Sequence, residues 1–250
     1  MVPFQRHLFR ALLEGKIKRC GEVVSINQNS TERNIEMEEP LGKIEKPAVE
    51  HFTGKRKLYL VPLIFYGEKA PAEYMEKFNL YWEQVSQQVA NLESKIGKAA
   101  HVYHESITLA GEDGLKIIEK LNPSCYQIAN SRCQGGAVLE ITEDKELAEE
   151  SMDWERFLLM GFISHKVART VSDFYVEATR KRYQDIARRI DETLKAEEVG
   201  VLFIREGHMV QFPADIEVFS VAPPALDEIH RWQRDRVSSE KKGGKKDKPE

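Results

Sequence analysis

The sequence predicts an α/β protein in which a mostly parallel or mixed sheet is covered by helices, one or two of them unusually long. Three observations carry this. Short apolar runs recur at 58–65, 99–108, 137–141, 199–204 and 216–221. Between them lie longer segments with apolar residues at steps of three and four. The two kinds alternate as β-α-β-α-β-α-α-β-β-α, which favours crossover connections between parallel strands.

The run from Leu58 to Phe65 is almost continuously apolar and reads as a strand buried on both faces, with Pro62 marking an irregularity. A helix over 70–96 follows. Pro71 suits its first turn and Gly97 its end. Its stripe is Tyr74, Phe78, Trp82, Val85, Val89, Leu92 and Ile96. At 1.5 Å per residue it is about 40 Å long, so part of it is expected to project. A strand over 99–108 precedes a short helix over 112–121 that stops before Asn122 and Pro123. Ala137 to Ile141 reads as a strand after the Gly135-Gly136 turn, and Thr142 is placed to cap the next helix. Residues 153–196 read as helical throughout, in one broken helix or two. Strands at 199–204 and 216–221 are too close for a crossover helix, so a hairpin around Met209 to Phe212 is expected. Pro223 and Pro224 open a last helix through Trp232.

This divides the chain into three parts. Residues 1–56 form an N-terminal basic helix and a polar extended lead-in, 57–235 the α/β domain, and 236–250 a lysine-rich tail expected to be disordered. The basic segment 1–20 reads as a helix packed on the domain, against a competing reading as a transit or membrane-surface helix. The chain carries a net charge of −4, which gives no general attraction to nucleic acid or anionic membrane. Arg180 to Arg182 and Arg188-Arg189 look basic, but the pairs Glu177–Lys181, Lys181–Asp185 and Asp185–Arg189 at i,i+4 offset them. No apolar run approaches the roughly 20 residues of a membrane span, and no secretory signal follows Met1. Cys20, Cys125 and Cys133 are odd in number and match no zinc spacing; a reducing, cytoplasmic compartment is expected.

In open α/β sheets ligands bind beyond the carboxyl ends of the strands. Those ends offer Tyr66, then His104 and Glu105, then Arg205, Glu206 and His208. His104 or His208 with Glu105 or Glu206 is the candidate catalytic acid–base set, and Tyr66 and Arg205 are candidate ligand-binding residues. His101, His104 and Glu105 form the densest group of metal-ligand types. In a strand, however, residues an odd number apart face opposite sides, so no metal site is expected. Phosphate-binding loops, dinucleotide glycine fingerprints and the serine-hydrolase elbow are absent, and no cofactor is implied.

Two function classes remain. The first is a binding or regulatory module that contacts protein, and less readily nucleic acid, through its long helices. Helix 70–96, with Tyr81 and Trp82 as anchors, is then the expected surface for self-association or a protein partner. The second is an enzyme with an acid–base or metal-assisted pocket at the strand ends.

Overall fold

The computed structural model describes residues 54–67 and 69–243. In chain order the elements are β1 (Arg56–Leu63), α1 (Ala72–Lys95), β2 (His101–His104), α2 (Gly111–Leu121), α3 (Pro123–Gln134), β3 (Val138–Leu139), α4 (Lys145–Met160), α5 (His165–Thr193), β4 (Val199–Arg205), β5 (Ile216–Ser220) and α6 (Pro224–Gly243). The strands form one sheet in the order β3-β2-β4-β1-β5, and every neighbouring pair is parallel.

The two-residue period of a strand sorts the apolar runs onto two faces. On the first face Tyr59, Val61, Val102, Leu139, Val201 and Phe203 pack against α1, α2, α3 and α6. On the second, Leu58, Tyr103, Leu202 and Ile204 pack against Tyr183, Ile186 and Ile190 of α5. Register aligns these sets: Leu139, Val102, Val201, Tyr59 and Phe219 form one row across all five strands. The stripe read for 70–96 is the buried face of α1, from Tyr74 to Val89, with Leu92 and Ile96 packed at its edge. Tyr81 and Trp82 are therefore core residues, and their expected role as exposed anchors is corrected: the sheet face occupies them.

Pro62 sits in a central strand without breaking it. Leu60 accepts from Val221 N on the β5 side, so alternation points the peptide groups of residue 62 the same way. The β5 ladder ends at Leu60–Ser220, where no strand remains to need the missing N–H. The Pro62 carbonyl instead accepts from the Tyr81 hydroxyl.

The expected hairpin between the last two strands is overturned. β4 and β5 both run parallel to β1, on opposite sides of it, so the segment 206–215 must return across the sheet without a helix. Val210 and Phe212 of this segment pack into the second-face core, which supplies the burial a crossover helix otherwise gives. The cap of α4 also moves. Asp144, not Thr142, accepts from Glu146 N and Leu147 N at 2.9 and 3.1 Å. Thr142 is buried and accepts from His104 N at 3.0 Å. The sequence assigned no element to the stretch that forms α3. There Asn122 caps the helix by accepting from Cys125 N at 3.1 Å, and Pro123 takes its first turn.

α6 continues to Gly243, past the residue at which the lysine-rich tail was expected to begin. The basic segment 1–20, Cys20 and most of the polar lead-in lie outside the described residues. Among the described residues no helix is long and apolar enough to cross a membrane.

Candidate functional site

Two places draw attention: the carboxyl ends of β2 and β4, and the arm formed by α4 and α5. β2 leads through first-face helices to β3, while β4 is entered from second-face α5 and leads to β5. Neighbouring strands whose connections diverge in this way mark the crevice where open α/β sheets place ligands.

Glu105 follows β2 and turns to the second face. It is fully desolvated and held by two arginines. Arg205 N donates to its Oε2 at 2.7 Å and the Arg205 guanidinium contacts its Oε1. Arg182 Nη2 of α5 reaches the same Oε1 at 3.2 Å. Arg182 also grips Glu143 in a fork, with contacts of 2.6 and 3.1 Å. Glu155 of α4 meets Arg205 at 3.5 Å. Three carboxylates and two guanidiniums thus share a buried volume, one negative charge in excess.

The charges titrate accordingly. Burial works to raise the Glu105 pKa, but Arg205 and Arg182 outweigh it and hold the group below the usual carboxylate range. Burial pushes Glu143 up, against the pull of Arg182. Both Glu143 carboxyl oxygens accept from Arg182, an arrangement that favours the ionised form against burial. Burial also raises Glu155, whose single long contact makes it the least compensated of the three.

The predicted site residues scatter around this network. Only Glu105 and Arg205 are joined side chain to side chain. His104 points to the first face beside Phe203, with ring centroids 6.1 Å apart. It is completely buried, its Nδ1 donates to the Glu105 carbonyl, and its Nε2 has no partner. Burial lowers its pKa to about 4, so it is neutral at physiological pH. Glu206 pairs at 2.8 Å with His230 on α6, away from the buried network. His208 is half-buried in the β4–β5 crossover, where its Nδ1 accepts from Val210 N at 3.3 Å, and burial lowers its pKa. Tyr66 is exposed and stands edge-on to Phe78, at 4.9 Å, on the first face. His101 lies on the other face from His104, between Glu140 and Glu198 at 2.9 and 3.0 Å. Among the described residues no three His, Cys, Asp or Glu side chains are placed to hold a metal ion.

Sequence reasoning did not place Arg182, Glu143 or Glu155 in this network. Arg182 carried a signal: it lies four residues after Ala178 and four before Ile186, on the buried stripe of α5. A cation at a core position demands buried carboxylates. Chemically, each carboxylate of this network is engaged by a guanidinium, and the arrangement ties β2, β4, α4 and α5 together.

The arm is the opposite case. Only the second half of α5 meets the sheet; its first half pairs with α4. Along this outer part Phe157, Val167 and Phe174 are about half exposed, Met160 is 77% exposed and Ile163 fully so. Trp154 stacks on Phe174 at 4.8 Å and lies 5.8 Å from Phe157, which joins the three rings into one apolar patch. The basic residues further along α5 are largely neutralised. Arg180 and Lys181 pair with Glu177, while Arg188 and Arg189 pair with Asp185, which displaces the expected Lys181–Asp185 pair.

Comparison of the chain with protein-family models, with curated proteins and with solved structures gives no match.

Proposed function

We propose that this protein is a protein-binding module: the α/β body is a scaffold, and the outer part of the α4–α5 arm is its contact surface. The observation that carries the reading is the apolar patch in which Phe157 and Phe174 meet through Trp154, with Met160, Ile163 and Val167 exposed on the same arm. Exposed apolar groups contiguous over a rigid element favour association, whereas scattered ones do not. The surface lies on helices, so a partner meets it without ordering a loop. The strand-end residues support this reading over an enzyme, because Glu105 is engaged by two arginines and Glu206 by His230. The free thiols of Cys125 and Cys133 fit a cytoplasmic setting.

Site-specific photocrosslinking in cells tests this. A photoreactive residue at Phe157 or Met160 is expected to give a discrete protein adduct, and one at the exposed Leu80 of α1 none. Absence of any adduct from the arm, or equal labelling from Leu80, overturns the proposal.

A further inference from the structure

We propose that the partner of this arm is a second copy of the chain, joined through the outward face of α5 in an antiparallel, two-fold arrangement centred on Thr170. The inference rests on the protein-binding reading of the arm and names its occupant.

Burial along the first half of α5 shows which face is free. Ala168, Val171, Ser172, Tyr175 and Thr179 are partly covered, and Ala178 is buried. The opposite side carries Lys166, Val167, Thr170, Asp173 and Phe174, all exposed. Seven residues advance an α-helix by almost two full turns, so residues seven apart share a face. Lys166 and Asp173 are seven apart, and so are Val167 and Phe174. Neither Lys166 nor Asp173 has an ion-pair partner among the described residues. At about 10 Å of rise they cannot reach each other within one helix.

A two-fold axis through Thr170 sets residue i of one copy level with residue 340 − i of the other. Lys166 then lies one residue, about 1.5 Å, from the level of Asp173 of the second copy on one side of the axis, and Val167 the same distance from the level of its Phe174 on the other side. Each contact occurs twice, as in any isologous interface. A parallel arrangement sets lysine against lysine and aspartate against aspartate. The pattern selects one orientation by charge and supplies an apolar contact in the same register. The paired segment is short, about three helical turns, so the dimer belongs to the weak, concentration-dependent class.

Sedimentation and light scattering across a concentration series test this on the purified full chain. A reversible monomer–dimer equilibrium is expected. Lys166→Asp and Asp173→Lys each create two like-charge contacts and are expected to weaken the dimer roughly tenfold. The double variant restores the pairs with their signs exchanged and is expected to return to near the original affinity. Thr170→Cys is expected to form a disulfide-linked dimer on mild oxidation, and Arg169→Cys, on another face, is not. Because these positions are exposed, folding is not at risk, and far-UV circular dichroism of each variant checks it. A chain that stays monomeric at every concentration overturns the inference, as does a double variant no better than either single one. If the chain is monomeric while Phe157 still crosslinks to a different polypeptide in cells, the protein-binding reading stands and only the second-copy assignment falls.

Discussion

At the scale of the residue, the fold depends on places where a side chain is too much. Gly200 pairs with Leu58 on β1 and with His101 on β2, on the second face of the sheet. A Cβ there would lie 2.9 Å from the Tyr103 ring and 3.0 Å from Leu58 Cδ1. Both neighbours are completely buried, and the Tyr103 hydroxyl is fixed to Thr193 at 2.7 Å. The ring therefore cannot yield without losing its hydrogen bond. Gly200→Ala is expected to cost about 1–3 kcal/mol, read as a shift in the urea midpoint at unchanged m. Adding Tyr103→Leu opens the space, so the double variant should lose less than the sum of the singles. Strict additivity would show that the Tyr103 ring is not what fills the position. The sequence displays Gly200 inside an apolar run, but not which ring approaches it, because Tyr103 arrives from a strand nearly a hundred residues away.

At the scale of the element, the buried charges explain how the two-helix arm is seated. Glu143 precedes α4, Glu155 lies within it, and Arg182 belongs to α5, while Glu105 and Arg205 end β2 and β4. Removing one member leaves its partners charged in a dry place, which costs more than the pair contributes. Arg182→Met is expected to destabilise by about 3–5 kcal/mol, because it strips the fork from Glu143 and one of two arginines from Glu105. Glu143→Gln added to it removes the most exposed consequence and should recover part of the loss. A cost below about 1 kcal/mol in chemical denaturation would mean that Arg182 is not what seats the arm. The elements themselves were unequally legible. α1 could be read from its stripe because one wide apolar face meets the sheet. α3 could not, since it buries only Cys125, Ile128 and Ala129 in an otherwise polar stretch. The parallel β4–β5 relation was hidden for another reason: strand direction is decided by β1, which separates the two, and not by the short segment that joins them. Of the candidate site, Glu105 and Arg205 were legible as strand-end residues, whereas the arginine that joins them to Glu143 looked like part of a surface basic run.

At the scale of the whole molecule, the buried ionisable groups give stability a pH dependence whose parts differ in sign. Glu105 is held low by Arg205 and Arg182, so its contribution is present above the ordinary carboxylate range and is lost on acidification below it. Glu143 and Glu155 are raised by burial, so they oppose this and favour the fold more when protonated. His104 acts over a different window. Its pKa falls from 6.5 when solvated to about 4 in the fold. Between those values the unfolded chain binds a proton that the native chain does not, so stability drops as pH falls from 6.5 towards 4. By pH 4.5 this one group removes about 2–3 kcal/mol relative to neutral pH. His104→Asn isolates the effect: the amide replaces the Nδ1 donor to the Glu105 carbonyl and does not titrate. Urea denaturation of both proteins at neutral pH and near pH 4.5 should therefore show the native chain losing more stability than the variant by that amount. Parallel losses would mean that His104 accepts its proton in the folded state, which requires its side chain to reach water through the first-face core around Phe203. The carboxylates of the arginine network are common to both proteins, so their opposing contributions cancel in the comparison and the difference reports on the buried imidazole alone.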